Sequence, residues 1–159
     1  MAEISQTELT ERICIVRRFR SLLEMQRKKF QEYLSVLEMQ HSFIENDNAE
    51  ILSAHTELGR RVVQGIGNIQ KALLPMKALY KQTARGSDEE EDARLDAIQD
   101  ELECLRMRVL MQNERNRALL RLHLTKLQEQ LEKLENPYRG RQSAFAKSDA
   151  AGRLVAVEV

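Results

Sequence analysis

The stretch that decides the fold runs from Leu9 to Leu58 and reads LTERICIVRRFRSLLEMQRKKFQEYLSVLEMQHSFIENDNAEILSAHTEL. Every seventh residue in it is large and apolar: Leu9, Val16, Leu23, Phe30, Leu37, Ile44, Ile51 and Leu58. Such spacing keeps one stripe of a helix against another helix. At about 1.5 Å per residue the stretch would be roughly 75 Å long if it were helical throughout. The pattern therefore predicts a rod that packs lengthwise on other helices, and it argues against the wall of a small enzyme pocket.

The composition of the 159-residue chain favours helices over sheets. Charged residues make up 31%, aromatic residues only 4%, and there is no Trp. The 25 basic and 25 acidic residues cancel, which argues against electrostatically driven binding of nucleic acid. The sequence has neither a signal-peptide pattern nor an apolar run of about 18 residues, so we expect no secretion and no membrane insertion. Cys14 and Cys104 lie far apart, which predicts buried, inert thiols in a reduced, cytoplasmic setting.

The helix boundaries follow from capping residues and helix breakers. Ser5 and Glu8 form a capping-box pattern, so we predict a first long helix over about residues 6–58. Asn46-Asp47-Asn48 is a run of poor helix formers, but the heptad register carries through it, which favours a continuous or bent helix. Whether the helix is continuous past Asn46 stays open.

The middle of the chain is predicted to be irregular. Three glycines between residues 59 and 67 predict a hinge there, because each costs about 1 kcal/mol relative to Ala in a helix. Pro75 then interrupts a short second helix that we predict over residues 68–83.

The last long helix is predicted over residues 88–135. Five acidic residues at its start complement the positive end of the helix dipole, and Pro137 ends it. Its predicted core stripe in the second half is Leu120, Leu124, Leu127, Leu131 and Leu134. The fold class is therefore all-α: an elongated antiparallel helical hairpin or three-helix coiled-coil-like bundle. We expect one helical domain over residues 1–136 and a flexible tail over 137–159.

A second apolar line lies on the same helix, rotated by well over 100° from the predicted core stripe. It consists of Met107, Met111, Ala118 and Leu122. Flexible methionine side chains suit a groove that accepts a partner helix. Packing on the short second helix or in a homodimer would explain the line equally well, and both readings stay open.

Nothing in the sequence indicates an enzyme, a metal or a cofactor. His41 and Glu45 are one helical turn apart, but two ligands do not make a metal site, and a solvated helix face is the better interpretation. Gly65-Ile66-Gly67 follows no strand, so a hinge is favoured over a phosphate-binding loop. We therefore predict no catalytic residue, no metal ligand and no cofactor.

The run Leu110–Leu120, LMQNERNRALL, resembles the last-helix pattern of the FlgN-type flagellar export chaperones. Like that family, the chain combines a long first helix, a second helix, a long last helix and a polar tail. The tail carries Pro137 and Tyr138 and a segment with Phe145 and Gly152.

The resemblance implies an all-helical cytoplasmic chaperone of the bacterial flagellar type III secretion system. Such proteins bind the C-terminal amphipathic helices of hook-associated proteins, prevent premature assembly and deliver the subunits to the membrane export gate. On this interpretation Met111, Leu119 and Leu122 contact the exported subunit, and Asn113 and Asn116 fix its register by hydrogen bonding. Met107 and Ala118 extend the surface, and Tyr138 with the tail is a candidate element for release or docking at the gate.

Two other interpretations stay open. The chain is also compatible with a coiled coil that self-associates into a structural scaffold, since its apolar stripes suit a homodimer. It is further compatible with a stalk-like helical component of the export ATPase complex. The sequence does not identify the exported subunit or the stoichiometry.

Overall fold

The computed structural model describes residues 5–135, which form three helices and contain no strand. Helix α1 spans Gln6–Glu45, α2 spans Ala49–Thr83 and α3 spans Glu89–Glu135. The predicted all-α fold is confirmed. The flexible tail predicted over 137–159, including Tyr138, lies outside the described residues.

Helix α1 begins where the capping box predicted. Ser5 is the N-cap residue, and its backbone N–H donates to the Glu8 carboxylate at 3.3 Å. The first N–H groups of a helix have no carbonyl partner within the helix. The Glu8 carboxylate supplies the missing acceptor for the N–H group of Ser5.

The single long helix predicted over 6–58 is wrong, because the chain turns at Asn46-Asp47-Asn48. The question of continuity past Asn46 is thereby answered. Asp47 adopts a left-handed conformation with φ of 53°. The N–H of Asn48 donates to the Phe43 carbonyl at 3.0 Å, and the N–H of Asp47 donates to the Ile44 carbonyl at 3.2 Å. These two bonds form a Schellman motif, which ends a helix by satisfying its last carbonyl groups.

Asn48 also begins the next helix. Its side-chain oxygen accepts from the Ile51 N–H at 3.3 Å, which is the bond that an N-cap residue makes. One short segment therefore ends α1 and starts α2, and the heptad register of the sequence passes through the turn without a continuous helix.

The predicted hinge over 59–67 is also wrong, because α2 runs unbroken through the three glycines and through Pro75. At Gly59 a Cβ would lie 3.5–3.6 Å from the Gln40, Val36 and Tyr33 side chains, so this glycine sits in the interface with α1. The buried side chains Leu73 and Tyr80 lie on either side of Pro75. Packing on α1 thus outweighs the local helix-breaking tendency of these residues.

The connection from α2 to α3 is a capped turn. Gly86 has φ of 86°, a conformation that glycine adopts at little cost. The Asp88 carboxylate then accepts from the N–H groups of Glu90 and Glu91 at 3.0 and 3.2 Å. The observed start of α3 at Glu89 agrees with the predicted start at 88.

Helix α1 packs against both other helices. It runs antiparallel to α2, since Phe19 stacks on Tyr80 with ring centroids 4.8 Å apart, and Gln40 donates to the His55 carbonyl at 3.2 Å. It runs parallel to α3, since Arg27 pairs with Glu101 at 2.8 Å and later residues of α1 meet later residues of α3.

The core consists of two apolar clusters. One holds residues from all three helices: Phe19, Leu22, Leu23, Leu73, Tyr80, Ala84, Leu95 and Ile98. The other holds only residues of α1 and α3: Leu34, Leu37, Leu105 and Val109, with Phe30 and Tyr33 packed against it. Residues 5–135 divide into two compact units, one that ends at Leu119 and one that begins at Leu120. Both clusters belong to the first unit.

Candidate partner-binding surfaces

A groove opens between α2 and α3 in the first unit, above α1. It has a volume of about 530 Å³, and residues of all three helices line it. Leu23 and Phe30 of α1 form its floor, with Leu73 of α2 beside them. Leu23 and Leu73 of the groove belong to the first core cluster, whereas the second cluster contains no α2 residue, so the groove lies at the end of the core that all three helices share.

Gln26, Gln70 and Gln99 line the groove, and the buried Gln26 of α1 donates to Gln70 of α2 at 2.5 Å. The remaining wall residues are mainly apolar. On α2 they are Val63, Ile66 and Leu74, of which Leu74 is 59% exposed; on α3 the wall is Leu102. Gly67 also lines the groove, and a Cβ there would meet nothing within 4 Å. Large apolar side chains at helical spacing around an open cleft are what the apolar face of a partner helix requires.

Polar side chains surround this apolar floor. Lys77 lies on the α2 side, and Glu103 and Arg106 lie on the α3 side. The Arg106 guanidinium donates to both Glu103 carboxylate oxygens, at 2.6 and 2.9 Å, and these bonds lower the pKa of Glu103. A rim of charges around an apolar centre is the usual arrangement of a protein-binding surface.

Asn116 is placed inside the bundle. It is only 6% exposed, and its side-chain N–H donates to the Leu37 carbonyl of α1 at 2.7 Å. Its oxygen accepts from Gln112 at 2.9 Å and lies 3.0 Å from Nδ1 of His41. These contacts occupy the amide within the bundle, and the role of Asn116 in fixing the register of a client stays a prediction.

The other residues of the predicted line on α3 have different surroundings. Met107, Met111 and Ala118 are exposed in the first unit, while Asn113 and Leu119 are half-buried. Leu122 is exposed and belongs to the second unit. None of them lines the groove between α2 and α3. Their role in binding an exported subunit stays a prediction.

The stripe predicted as the core of the last helix is exposed. Leu120, Leu124, Leu127, Leu131 and Leu134, all in the second unit, have exposed fractions between 40% and 74%. Leucine periodicity alone showed that this face prefers burial, but it did not show whether this chain supplies the cover. The interpretation of the five leucines as intramolecular core is therefore wrong.

The remaining chemical candidates are helix-surface groups. His41 Nε2 lies 3.5 Å from the Glu45 carboxylate, and within residues 5–135 no cluster of three or more His, Cys, Asp or Glu is arranged to hold a metal ion. Cys14 and Cys104 are free and exposed, so the prediction that both thiols are buried is wrong. None of the helices described is both long and apolar enough to cross a bilayer.

Sequence reasoning missed the groove because it assigned its α2 wall to a hinge and a short helix. Val63, Ile66 and Leu74 follow one another at steps of three and eight, which is compatible with one helical face. Gly65 and Gly67, which lie between these residues, obscure this signal because glycine disfavours a helix interior.

Sequence comparison identifies a relative of this chain. The chain is 38% identical over 131 residues to an uncharacterized protein of Treponema pallidum (strain Nichols), and the match covers 82% of each chain. No protein-family model matches the chain. No solved structure matches it either.

Proposed function

The chain belongs to the same protein family as the Treponema pallidum protein, and we propose that it is a cytoplasmic chaperone of the bacterial flagellar type III export system. In this role it binds the C-terminal amphipathic helices of hook-associated proteins. Binding prevents their premature assembly until the chaperone delivers them to the export gate. The resemblance of Leu110–Leu120 to the FlgN-type pattern suggests this function, and the groove between α2 and α3 supplies a binding surface.

The observation that carries the proposal is the apolar floor and wall of that groove. Phe30 is only partly covered by the bundle, and Leu74 is more than half exposed beside it. An amphipathic helix laid between α2 and α3 would cover both side chains, as a fourth helix does in a bundle.

The dimensions of the groove suit a short helical segment. Its α2 wall extends from Val63 to Lys77, which corresponds to about 21 Å of helix at about 1.5 Å per residue. A client segment of about four helical turns would span this length. Exported subunits that polymerise through apolar helical faces commonly carry such a segment at their C-terminus. A chaperone that covers this segment prevents assembly.

The expected complex is stable but releasable. Burying the apolar face of a client favours binding by roughly 25 cal/mol per Å². Ordering a segment that is flexible before binding offsets much of this gain. Lys77 at the rim adds attraction for acidic residues beside the client's apolar stripe, whereas the charge of Arg106 is already paired with Glu103. Such attraction influences orientation more than total affinity.

A pull-down with a purified hook-associated protein tests the proposal. Leu74→Asp places a charge in the groove wall and should reduce the captured client at least about tenfold, which corresponds to about 1.4 kcal/mol. Met25→Asp is the matched control, because Met25 is 51% exposed on α1 and does not line the groove. It should capture as much client as the wild type.

A second set of variants tests the predicted line on α3. If the client covers this line as well, Met111→Asp and Leu119→Asp should each weaken capture, and Leu122→Asp should behave likewise. Circular dichroism should show unchanged helicity for every variant. Undiminished capture by Leu74→Asp, Met111→Asp, Leu119→Asp and Leu122→Asp, or no capture by the wild type, contradicts the proposed function.

A further inference from the structure

Three glutamine side chains, one from each helix, line the groove between α2 and α3: Gln26, Gln70 and Gln99. Gln26 lies three residues after Leu23 and four residues before Phe30, and both of these apolar residues also line the groove. Steps of three and four residues place side chains on one face of a helix. The Gln26 amide therefore interrupts an apolar face of α1 at the floor of the groove.

The hydrogen bonds within the protein use only part of the capacity of these amides. Gln26 is 7% exposed, and its Nε2 donates to Oε1 of Gln70 at 2.5 Å. Nε2 of Gln99 donates to the Leu95 carbonyl of its own helix at 3.3 Å. Within residues 5–135, no group is hydrogen-bonded to Oε1 of Gln26, Nε2 of Gln70 or Oε1 of Gln99. The groove thus offers two acceptors and one donor group to a bound molecule.

A helix that docks in the groove removes water from these amides. A polar group that loses water without gaining a hydrogen bond costs free energy, so an uninterrupted apolar stripe matches the leucines and Phe30 but not the glutamines. An asparagine or glutamine in the stripe supplies both a donor and an acceptor. A carboxylate supplies only acceptors and a lysine only donors, and either charge would be buried among three uncharged amides.

We propose that Gln26, Gln70 and Gln99 select the client, which is an amphipathic helix whose apolar stripe is interrupted by one asparagine or glutamine. Hydrogen bonds between this client amide and the three glutamines fix the register of the bound helix. A single polar residue within an apolar helix interface sets register and partner choice in coiled coils by the same means. The inference rests on the proposed chaperone function and names the class of helix that the groove accepts.

The test combines variants of both partners in a quantitative pull-down, so that the coupling between two side chains is measured. In a purified hook-associated protein, each asparagine and glutamine of the C-terminal amphipathic helix is replaced in turn by leucine. One of these changes should reduce capture by the wild-type chain at least about tenfold, which corresponds to about 1.4 kcal/mol. The double variant Gln26→Leu with Gln70→Leu should capture that client variant at least as well as the unmodified client. The double change removes both partners of the hydrogen bond, so neither is left buried and unpaired.

Two single variants complete the set. Gln64→Leu is the matched control, because Gln64 is exposed on α2 and does not line the groove, and it should discriminate between the two clients like the wild type. Gln99→Leu leaves the bond between Gln26 and Gln70 intact and should also reduce the discrimination, so it decides the question if the double variant does not fold. Circular dichroism measures the helicity of each variant.

The outcomes separate this inference from the function on which it rests. A wild type that captures every client variant equally overturns the inference, as does a tenfold loss that persists unchanged in the folded glutamine variants. In both cases the client is still captured, and the chaperone function stands. A wild type that captures no hook-associated protein contradicts the chaperone function itself, and the inference falls with it.

Discussion

Replacement of Asn116 by Ala should destabilise the protein far more than the same change at Asn113, three residues away on α3. Asn116 is buried and contacts α1 through the Leu37 carbonyl, while its oxygen accepts from Gln112 and faces His41. A hydrogen bond contributes about 0.5–1.5 kcal/mol net. The alanine variant loses three such contacts, but Gln112 and His41 are half-buried and can turn to water. We therefore expect a loss of about 2 kcal/mol.

Urea denaturation followed by circular dichroism measures this loss. The unfolding midpoint of Asn116→Ala should fall with an unchanged slope against urea, because the surface exposed on unfolding stays the same. In thermal melts, a loss of about 2 kcal/mol corresponds to roughly 4–8 °C for a chain of this size.

Asn113→Ala is the control because it removes the same chemical group from a half-buried position on the same helix. Its free energy of unfolding should stay within about 0.5 kcal/mol of the wild type. Equal stability of the two variants would refute the assignment of Asn116 to the contact between α1 and α3, and would return it to the candidate client surface.

Two further predictions concern the end of the bundle and the glycines. Burial raises the pKa of Tyr80, and so does, to a smaller extent, the hydrogen bond that its hydroxyl donates to Asp92. The folded state therefore favours the neutral phenol. This contribution to stability is complete below the pKa of an unfolded tyrosine, about 10, and is lost as the pH rises above that value. Tyr80→Phe should therefore lose less stability than the wild type in melts between about pH 8 and 11, and an identical alkaline loss would contradict this. Gly67→Ala should raise the free energy of unfolding by about 1 kcal/mol, because a Cβ there meets open space within a helix. Gly86→Ala, with φ of 86°, should lower it by about 1–2 kcal/mol. In urea titrations, a destabilised Gly67→Ala would contradict the first of these predictions, and a Gly86→Ala as stable as the wild type would contradict the second.

The sequence predicted α3 well because both of its signals are local. The acidic run that begins at Asp88 identifies the start of this helix. Its apolar face is identified by large apolar residues at steps of three and four: Leu95, Ile98, Leu102, Leu105 and Val109. Neither signal refers to the rest of the chain. The structure agrees: Asp88 caps the helix, and Leu95 is fully buried.

The hinge predicted at the glycines is absent because tertiary packing keeps α2 helical there. Gly59 lies in the interface with α1, where the absence of a side chain allows close approach, and its cost in helix propensity is thereby offset. The segment Asn46-Asp47-Asn48 instead combines a left-handed residue with a helix N-cap. Asparagine and aspartate tolerate the left-handed conformation, which Asp47 adopts. A capped turn therefore explains the presence of these three residues better than a bent helix does.

The candidate surfaces show what periodicity can and cannot establish. It correctly identified the apolar faces of α3, but it could not assign a partner to each face. Leu105 and Val109 meet α1, whereas Leu127 and Leu131 are exposed, although both pairs belong to apolar stripes with steps of three and four residues. Burial depends on which other segments lie alongside, and that information is not local.

The central position of α1 also dictates the order in which a nascent chain can complete its fold. Gln40 and the His55 carbonyl are 15 residues apart in sequence, whereas Leu37 and Asn116 are 79 apart. Because closing a longer loop costs more entropy, the α1–α2 pair can close first during synthesis, while the face of α1 that carries Leu34 and Leu37 waits for α3. Pulse-labelled amide exchange during refolding should accordingly protect α2 before α3.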